Sequence, residues 1–195
     1  FWESFYEAGD DLLKKLVQQL VLEGKFSPIE KRIRDLNKNP VELMQPFLGT
    51  DVGVSFRNRQ LRSDFNLQVS VPVVLHFLEL LKENKEESQI LSFGDIFGSN
   101  LPTQSVLNHF KQNFDFELES LHWQYERKVV AAIVEKTFDS LTGKISSLLS
   151  YYDCDIVLLS GRPTSLKPLT DLFLKHYAIS PNRLKTMNDY RVGRW

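Results

Sequence analysis

Apolar residues recur at helical spacing near the start of the chain. The leucines and valines between Leu12 and Val21 repeat every three or four residues, and lysine or glutamine occupies the positions between them. This spacing places the apolar side chains on one face and predicts an amphipathic helix. Asp10 and Asp11 precede the pattern, where carboxylates suit the positive end of a helix. Gly24 is expected to end this helix.

The pattern becomes mixed in the next segment. A second, more polar helix is predicted at residues 28–37, followed by a short helical stretch or loop at 41–47. Apolar and polar residues then alternate at 52–56 and 65–71, and alternation with a period of two predicts half-buried strands. We expect these two strands to form a hairpin joined through residues 58–64.

Helices alternate with short strands after this predicted hairpin. Pro72 is expected to end the second strand and begin a helix at 73–83, which turns Val74, Leu75, Leu78 and Leu81 inward. A short strand is predicted at 90–93 and another, from partial alternation, at 114–123. We expect Thr103 or Ser105 to cap the helix between them.

The last part of the chain predicts a strand between two helices. A long helix is expected at 125–149, and an apolar run rich in branched residues at 155–159 predicts a buried parallel strand. A turn of small residues follows, and then a helix at 167–176. In α/β proteins this strand-to-helix junction is where anionic ligands bind.

The composition is that of an ordinary globular domain, with 42% hydrophobic and 25% charged residues. The net charge of −1 offers no basic surface for nucleic acid, and no apolar run approaches the roughly 20 residues of a membrane-spanning helix. We therefore expect neither a nucleic-acid partner nor a membrane span. The single cysteine, Cys154, excludes an intrachain disulfide and fits a reducing, cytoplasmic location.

Both ends of the chain carry aromatic residues. The sequence begins with Phe1-Trp2, without a methionine, and stops at Trp195. Neither end is typical of a signal peptide or of a flexible tail. This pattern indicates a segment of a longer protein, so a ligand site formed here is expected to be incomplete.

Few residues are arranged for catalysis or metal binding. The four histidines fall on separate predicted elements and form no local pair at metal-ligand spacing. No nucleophile elbow, zinc-binding helix or Walker loop is present. Asp10 and Asp11 favour a helix start over a metal site, and the arginines from Arg57 to Arg62 favour a solvated turn. No catalytic or metal-binding residue is therefore predicted.

The turn after the strand at 155–159 has the composition of a ligand-binding loop. Ser160 and Gly161 add no bulk, so the backbone can lie against a flat or anionic group. Arg162 offers a planar cation that stacks on a base or pairs with phosphate. Ser165 supplies a hydroxyl or a helix cap. An ordinary strand-to-helix connection has the same composition, so both interpretations stay open from the turn alone.

Three segments resemble the second lobe of the actin, sugar-kinase and Hsp70 ATPase superfamily. The stretch Leu158-Leu159-Ser160-Gly161-Arg162-Pro163-Thr164-Ser165 resembles its adenosine-binding turn, with serine replacing the first glycine of a Gly-Gly pair and one extra residue. Ala8-Gly9-Asp10-Asp11 resembles its Gly-Gly-Glu-Asp helix start, with alanine replacing a glycine. Residues 182–189 resemble the segment that closes the pocket, although the proline of its Asn-Pro-Asp stretch is missing.

Within that superfamily the chain is most similar to the SrfB-type virulence-factor family. The Leu-Ser-Gly-Arg-Pro turn, the step at 181–183 and the ending at 189–195 carry this likeness. The resemblance implies an α/β fold, a fragment of the actin-like (ribonuclease H-like) second lobe, in which helices pack on a sheet. Residues 1–24 and 125–195 would form the lobe core, and residues 25–124 an inserted, smaller mixed α/β subdomain.

The resemblance also implies half of a nucleotide site. The residues expected to approach ATP or ADP are Gly9, Ser160, Gly161, Arg162 and Ser165, with Asp189 nearby. The superfamily's phosphate loops and the acidic residue that handles magnesium would precede Phe1. The full-length protein would then bind ATP or ADP with Mg, and these 195 residues alone would bind it weakly or not at all and be inactive.

Two other functions stay open from the sequence. Serine and alanine at glycine positions of two motifs also fit a non-catalytic protein-interaction module, with unidentified protein partners and a degenerate nucleotide cleft. A dinucleotide-binding oxidoreductase is disfavoured, because no Gly-x-Gly-x-x-Gly follows any predicted strand. Whether the full-length protein hydrolyses ATP is left open.

Overall fold

A computed structural model of the protein describes residues 9–47, 55–84, 86–152 and 154–187. These residues form a mixed α/β structure that is mostly helical and carries two small sheets. The helices are α1 Gly9–Val17, α2 Pro28–Asp35, α3 Pro40–Met44, α4 Phe56–Phe65, α5 Val71–Glu83, α6 Phe93–Phe97, α7 Gln104–Phe114, α8 Arg127–Tyr152 and α9 Lys167–His176. The strands are β1 Ser88–Ser92, β2 His122–Glu126, β3 Val157–Leu159 and β4 Leu184–Thr186. The predicted mixture of helices and strands is confirmed.

Most helices lie where hydrophobic periodicity predicts them. α1 buries Leu12 and Leu16, and the chain continues through a π-helical turn, Gln18–Leu22, in which the Glu23 backbone N–H donates to the carbonyl of Gln18 at 2.8 Å. The helix predicted at 167–176 coincides with α9. The apolar faces of these helices therefore determine their positions in the chain.

The hairpin predicted at 52–56 and 65–71 is wrong where the structure describes it. Residues 52–54 lie outside the described part of the chain, and Phe56 is the first residue of α4. A π-helical turn, Asn66–Ser70, joins α4 to α5. One continuous helical segment therefore occupies the region where alternation predicts a second strand.

The alternation misleads because residues four apart share a face in a helix as well as in a strand. Phe65, Val69 and Val73 are all fully buried. Leu67, which would share their face in a strand, is 67% exposed. Burial therefore follows the helical period and excludes the strand.

The strand predicted at 114–123 lies further along the chain. α7 extends to Phe114 and ends at Asp115, which adopts a left-handed backbone conformation with φ of 61°. A short 3-10 turn, Leu118–Ser120, precedes β2. The alternating side chains before β2, such as Phe116, are buried without pairing in a strand.

The two sheets each contain two strands. β1 and β2 pair antiparallel with Leu91 opposite Trp123, and both side chains are buried. β3 and β4 pair parallel with Leu159 opposite Thr186. The strands predicted at 90–93 and 155–159 are thereby confirmed as strands, and the second is parallel as predicted. Its predicted burial is only partly correct, because Ile156 and Leu158 are 69% and 55% exposed. β3 delivers its carboxyl end to the turn before α9.

A single hydrophobic core joins the helices to both sheets. It takes Leu16 from α1, Ile33 from α2, Phe77 from α5, Trp123 from β2 and Val134 from α8, each 0–1% exposed. The members come from both sides of the boundaries predicted at residues 24 and 124. The division into a lobe core and an inserted subdomain stays a prediction.

The continuous helical segment Phe56–Glu83 is, among the described residues, long and apolar enough to cross a membrane by length and composition. Its buried side chains are Phe65, Val69, Val73, Val74, Phe77 and Leu81, together with Arg62 and Ser70. A core helix of a water-soluble protein passes the same test of length and hydropathy. In this structure 39% of its most apolar window is buried.

An ion pair between α8 and α9 carries a prediction about pH. His176 Nε2 lies 2.8 Å from Asp139 Oδ1, and Lys175 Nζ lies 3.9 Å from the same oxygen. The hydrogen bond from His176, with the charges of His176 and Lys175, lowers the pKa of Asp139. A lowered carboxyl pKa contributes stability at neutral pH that is lost as pH falls through the folded-state pKa.

We expect Asp139→Asn to reduce the acid sensitivity of the protein. The free energy of unfolding of the wild type should fall more than that of the variant between about pH 5 and about pH 3, which spans the ordinary aspartate pKa of about 3.9. Urea unfolding at several pH values measures the difference. The exposed Asp171→Asn on α9 is the control and should follow the wild type. Parallel pH profiles for Asp139→Asn and the wild type would contradict the prediction.

Candidate functional site

A cleft of about 590 Å³ opens where the start of α1, one face of α5 and the turn after β3 meet. This volume lies within the range of about 300–1,000 Å³ typical of small-molecule sites. Residues near the two ends of the chain therefore share one concavity. The hydrophobic core positions all three of its walls.

The floor of the cleft is apolar. Leu12 and Leu13 come from α1, Leu75 and Leu78 from α5, and Leu166 from the end of the turn after β3. Leu12 and Leu166 are buried, whereas Leu75 is 44% exposed. A partly exposed leucine floor offers a flat apolar ligand a surface that is removed from water on binding.

Polar groups surround this floor. Asp10 lies on the α1 side, Arg162 and Ser165 lie on the turn, and Glu79 and Lys82 lie on α5. Lys82 Nζ is 3.8 Å from Glu79 Oε2, and both side chains are mostly solvent-exposed. The rim therefore carries both signs of charge and offers donors as well as acceptors to a ligand.

The turn after β3 has a tight internal structure. The Thr164 backbone N–H and its Oγ1 both donate to the carbonyl of Gly161, at 3.2 and 2.7 Å. Ser165 Oγ donates to the carbonyl of Arg162 at 2.9 Å. Gly161 has φ of 104° and ψ of 157°, a conformation essentially restricted to glycine. The fold therefore holds the backbone of this turn in one shape.

The first turn of α1 packs directly on this loop. A Cβ built on Gly9 would lie 3.6 Å from Pro163 Cγ, which is ordinary van der Waals contact. Gly9 therefore lies beside Pro163 at the end of the cleft. The two glycine motifs identified from the sequence are therefore neighbours in space.

Three of the six residues predicted to approach a nucleotide line the cleft together. These are Gly9, Arg162 and Ser165. Ser160 and Gly161 precede them on the same turn and are exposed, although they are not among the residues that line the cleft. Asp189 lies outside the described residues.

Sequence reasoning missed the α5 wall. The periodicity of α5 predicts that Leu75 faces inward, whereas Val73 and Phe77 occupy the core and leave Leu75 over the cleft. Glu79 and Lys82 on the same helix belong to no recognisable sequence motif, so their place in the cleft was not predicted. The available signal was an apolar stripe on α5 that is wider than its core contact requires.

The described residues do not fit a magnesium site. Among residues 9–47, 55–84, 86–152 and 154–187, no group of three histidine, cysteine, aspartate or glutamate side chains is placed to hold a metal ion. Asp10 and Asp11 lie in the first turn of α1, where their charges complement the helix dipole.

Comparison with known proteins identifies a family but no function. The chain matches no curated protein and no solved structure. The family model described as virulence factor SrfB matches residues 1–195, the whole of the sequence. The chain belongs to the SrfB virulence factor family.

Proposed function

We propose that the cleft is the adenosine-side half of a nucleotide site in an actin/Hsp70-like ATP-binding protein. The observation that supports it is the convergence on one cleft of suitable volume of Gly9, Arg162 and Ser165, which come from two separate segments that resemble motifs of that superfamily.

The chemistry of the cleft suits an adenosine. The leucine floor would bury one face of the base, and the Arg162 guanidinium would stack on the other face or pair with phosphate. Glu79 and Asp10 offer carboxylates to the ribose hydroxyls, and Lys82 offers a cation. Gly161 in the neighbouring turn has no side chain, so the backbone there could lie close to the ligand.

Magnesium and the hydrolytic machinery would come from the rest of the full-length protein. Phosphoryl transfer depends on groups that converge on the phosphates from more than one side. A half-site lacking those groups is expected to be catalytically inactive. Its affinity for nucleotide should be no better than about 1 mM, equivalent to about 4 kcal/mol of binding free energy.

Calorimetric titration of the full-length protein with ADP and ATP tests the proposal. We expect binding, and we expect Arg162→Ala to weaken it about 2- to 30-fold, because a stacked cation contributes about 0.5–2 kcal/mol. Lys167→Ala is the matched control, since Lys167 carries the same charge at the start of α9 and does not line the cleft.

Absence of ATP and ADP binding in the full-length protein would refute the nucleotide proposal. The non-catalytic interaction module would then be favoured, because serine and alanine stand at glycine positions of both motifs. Equal losses for Arg162→Ala and Lys167→Ala would instead contradict the placement of the nucleotide in this cleft.

A further inference from the structure

A second cleft, of about 690 Å³, lies between α4 and α7. Its walls come from positions such as 57, 60 and 64 of α4 and 105, 108 and 112 of α7. In each helix this spacing forms the stripe that faces a neighbouring helix. Such stripes are normally apolar and closely packed, whereas nine of the eleven residues around this cleft are polar or charged.

Two buried aromatic rings join α4 and α7 beneath this cleft. The rings of Phe65 and Phe110 lie 5.3 Å apart, and both side chains are fully buried. His109 covers this aromatic base, with its ring 5.8 Å from Phe47. Above the base the polar stripes separate, which leaves a groove open to solvent.

Carboxamide side chains dominate the walls of the groove. They are Asn58, Gln60, Asn108, Gln112 and Asn113. Gln60 Nε2 donates to Asp64 Oδ1 at 2.9 Å, and Asn113 Nδ2 donates to the carbonyl of His109 at 2.9 Å. Within the described part of the chain, no hydrogen bond or ion pair crosses the groove, so each wall keeps donors and acceptors for a ligand.

Among the described residues of the lining, the positive and negative charges cancel when histidine is neutral. Arg57 and Asp64 carry opposite charges on the same wall. Burial, together with the charge of Arg57, lowers the pKa of His109, so its imidazole is neutral at pH 7. A strongly charged ligand would therefore gain little from this groove.

An exposed aromatic ring completes the lining. Phe56 stands at the first residue of α4 and is 77% exposed. Among the described residues, only Phe56 and Leu61 contribute apolar side chains to the groove, so this part of the chain forms no apolar pockets like those with which protein surfaces bind the side chains of a peptide.

We propose that the α4–α7 groove binds a neutral carbohydrate. Each sugar hydroxyl donates and accepts hydrogen bonds, and a carboxamide offers both functions from one planar group. The apolar C–H face of a sugar ring can pack on Phe56. The combination of amides on both walls, zero net charge and one exposed ring matches this class of ligand, and it is independent of the nucleotide cleft.

Nuclear magnetic resonance of the ¹⁵N-labelled 195-residue chain tests the proposal with defined probes. Maltotriose, mannotriose and N-acetylated chitotriose are titrated separately to about 20 mM, a range that reveals millimolar binding. We expect at least one to shift the side-chain amide signals of Asn108 and Gln112 and the backbone signal of Phe56, and signals from the nucleotide cleft to stay unchanged.

Variants separate groove binding from general effects. Asn108→Ala combined with Gln112→Ala should weaken the sugar at least fivefold, and Phe56→Ala, which removes an exposed side chain, provides a second variant if the double variant does not fold. Gln89→Ala, an exposed amide on β1, is the matched control and should not change the affinity.

Three results would overturn the proposal. The first is the absence of localised shifts with all three trisaccharides. The second is equal affinity for the wild type and the groove variants. The third is tighter binding of a capped tri-alanine peptide than of any sugar, which would make the groove a peptide site.

Discussion

Phe110→Ala is expected to lower the free energy of unfolding by about 3–5 kcal/mol, the usual cost of truncating a buried phenylalanine. Phe110 is fully buried, and its ring lies 5.7 Å from Phe47, 5.3 Å from Phe65, 4.8 Å from Phe114 and 5.8 Å from Phe116. Phe47 and Phe65 come from other elements of the chain, whereas Phe114 shares α7 with Phe110, so the cavity left by alanine cannot close by the movement of one side chain.

The expected loss of stability is large enough to test whether Phe110 lies in the core. A total stability of about 5–15 kcal/mol is typical of a domain, so the loss removes a large fraction of it. Urea unfolding monitored by circular dichroism measures the change. Phe56→Ala is the matched control, because the 77% exposed ring should change stability by only about 0.5 kcal/mol. Similar stability for the two variants would contradict the aromatic core described here.

The aromatic cluster also marks a limit of sequence reasoning. Phe110 follows Val106 at helical spacing, so its burial in α7 could be predicted. The partners Phe47 and Phe65 lie far away in the sequence, and nothing in the local pattern pairs them with α7. Local periodicity identifies the buried face of an element, whereas the partner of that face depends on the packing of the whole chain.

The region around Pro72 shows a second limit. Proline normally disrupts a helix interior, so its presence after an alternating run favoured a strand end at this point. In the structure a π-helical turn precedes Pro72, and the Val71 backbone N–H donates to the carbonyl of Asn66 in that turn. The widened turn lets the helical segment continue through proline. Such an irregular turn has no recognisable sequence signal.

One wall of the candidate site could be predicted from the sequence and the other could not. The turn that carries Gly161 and Arg162 was predictable, because a glycine-containing turn between a strand and a helix has a distinctive composition. The α5 wall was not, since Glu79 and Lys82 are ordinary exposed residues of an amphipathic helix. A motif reveals the backbone that approaches a ligand. The opposite wall depends on how two distant elements pack.

Gly161→Val is expected to cause the largest loss at the proposed nucleotide site, a decrease in affinity of at least tenfold in the full-length protein. Gly161 has φ of 104°, where a side chain costs about 1–3 kcal/mol of strain. A Cβ would lie 3.9 Å from Pro163 Cδ, so space is available and the backbone conformation is the obstacle. Valine would favour a different backbone shape and displace Arg162 from the cleft.

Gly98→Val is the matched control for this change. Gly98 also has a positive φ, of 51°, and a Cβ there would meet no atom within 4 Å. It lies at the end of α6, outside the cleft. Both variants should therefore lose stability in thermal unfolding, and only Gly161→Val should lose nucleotide affinity in calorimetry. Equal affinities for the two variants would show that strain at Gly161 is structural and that the turn after β3 does not bind nucleotide.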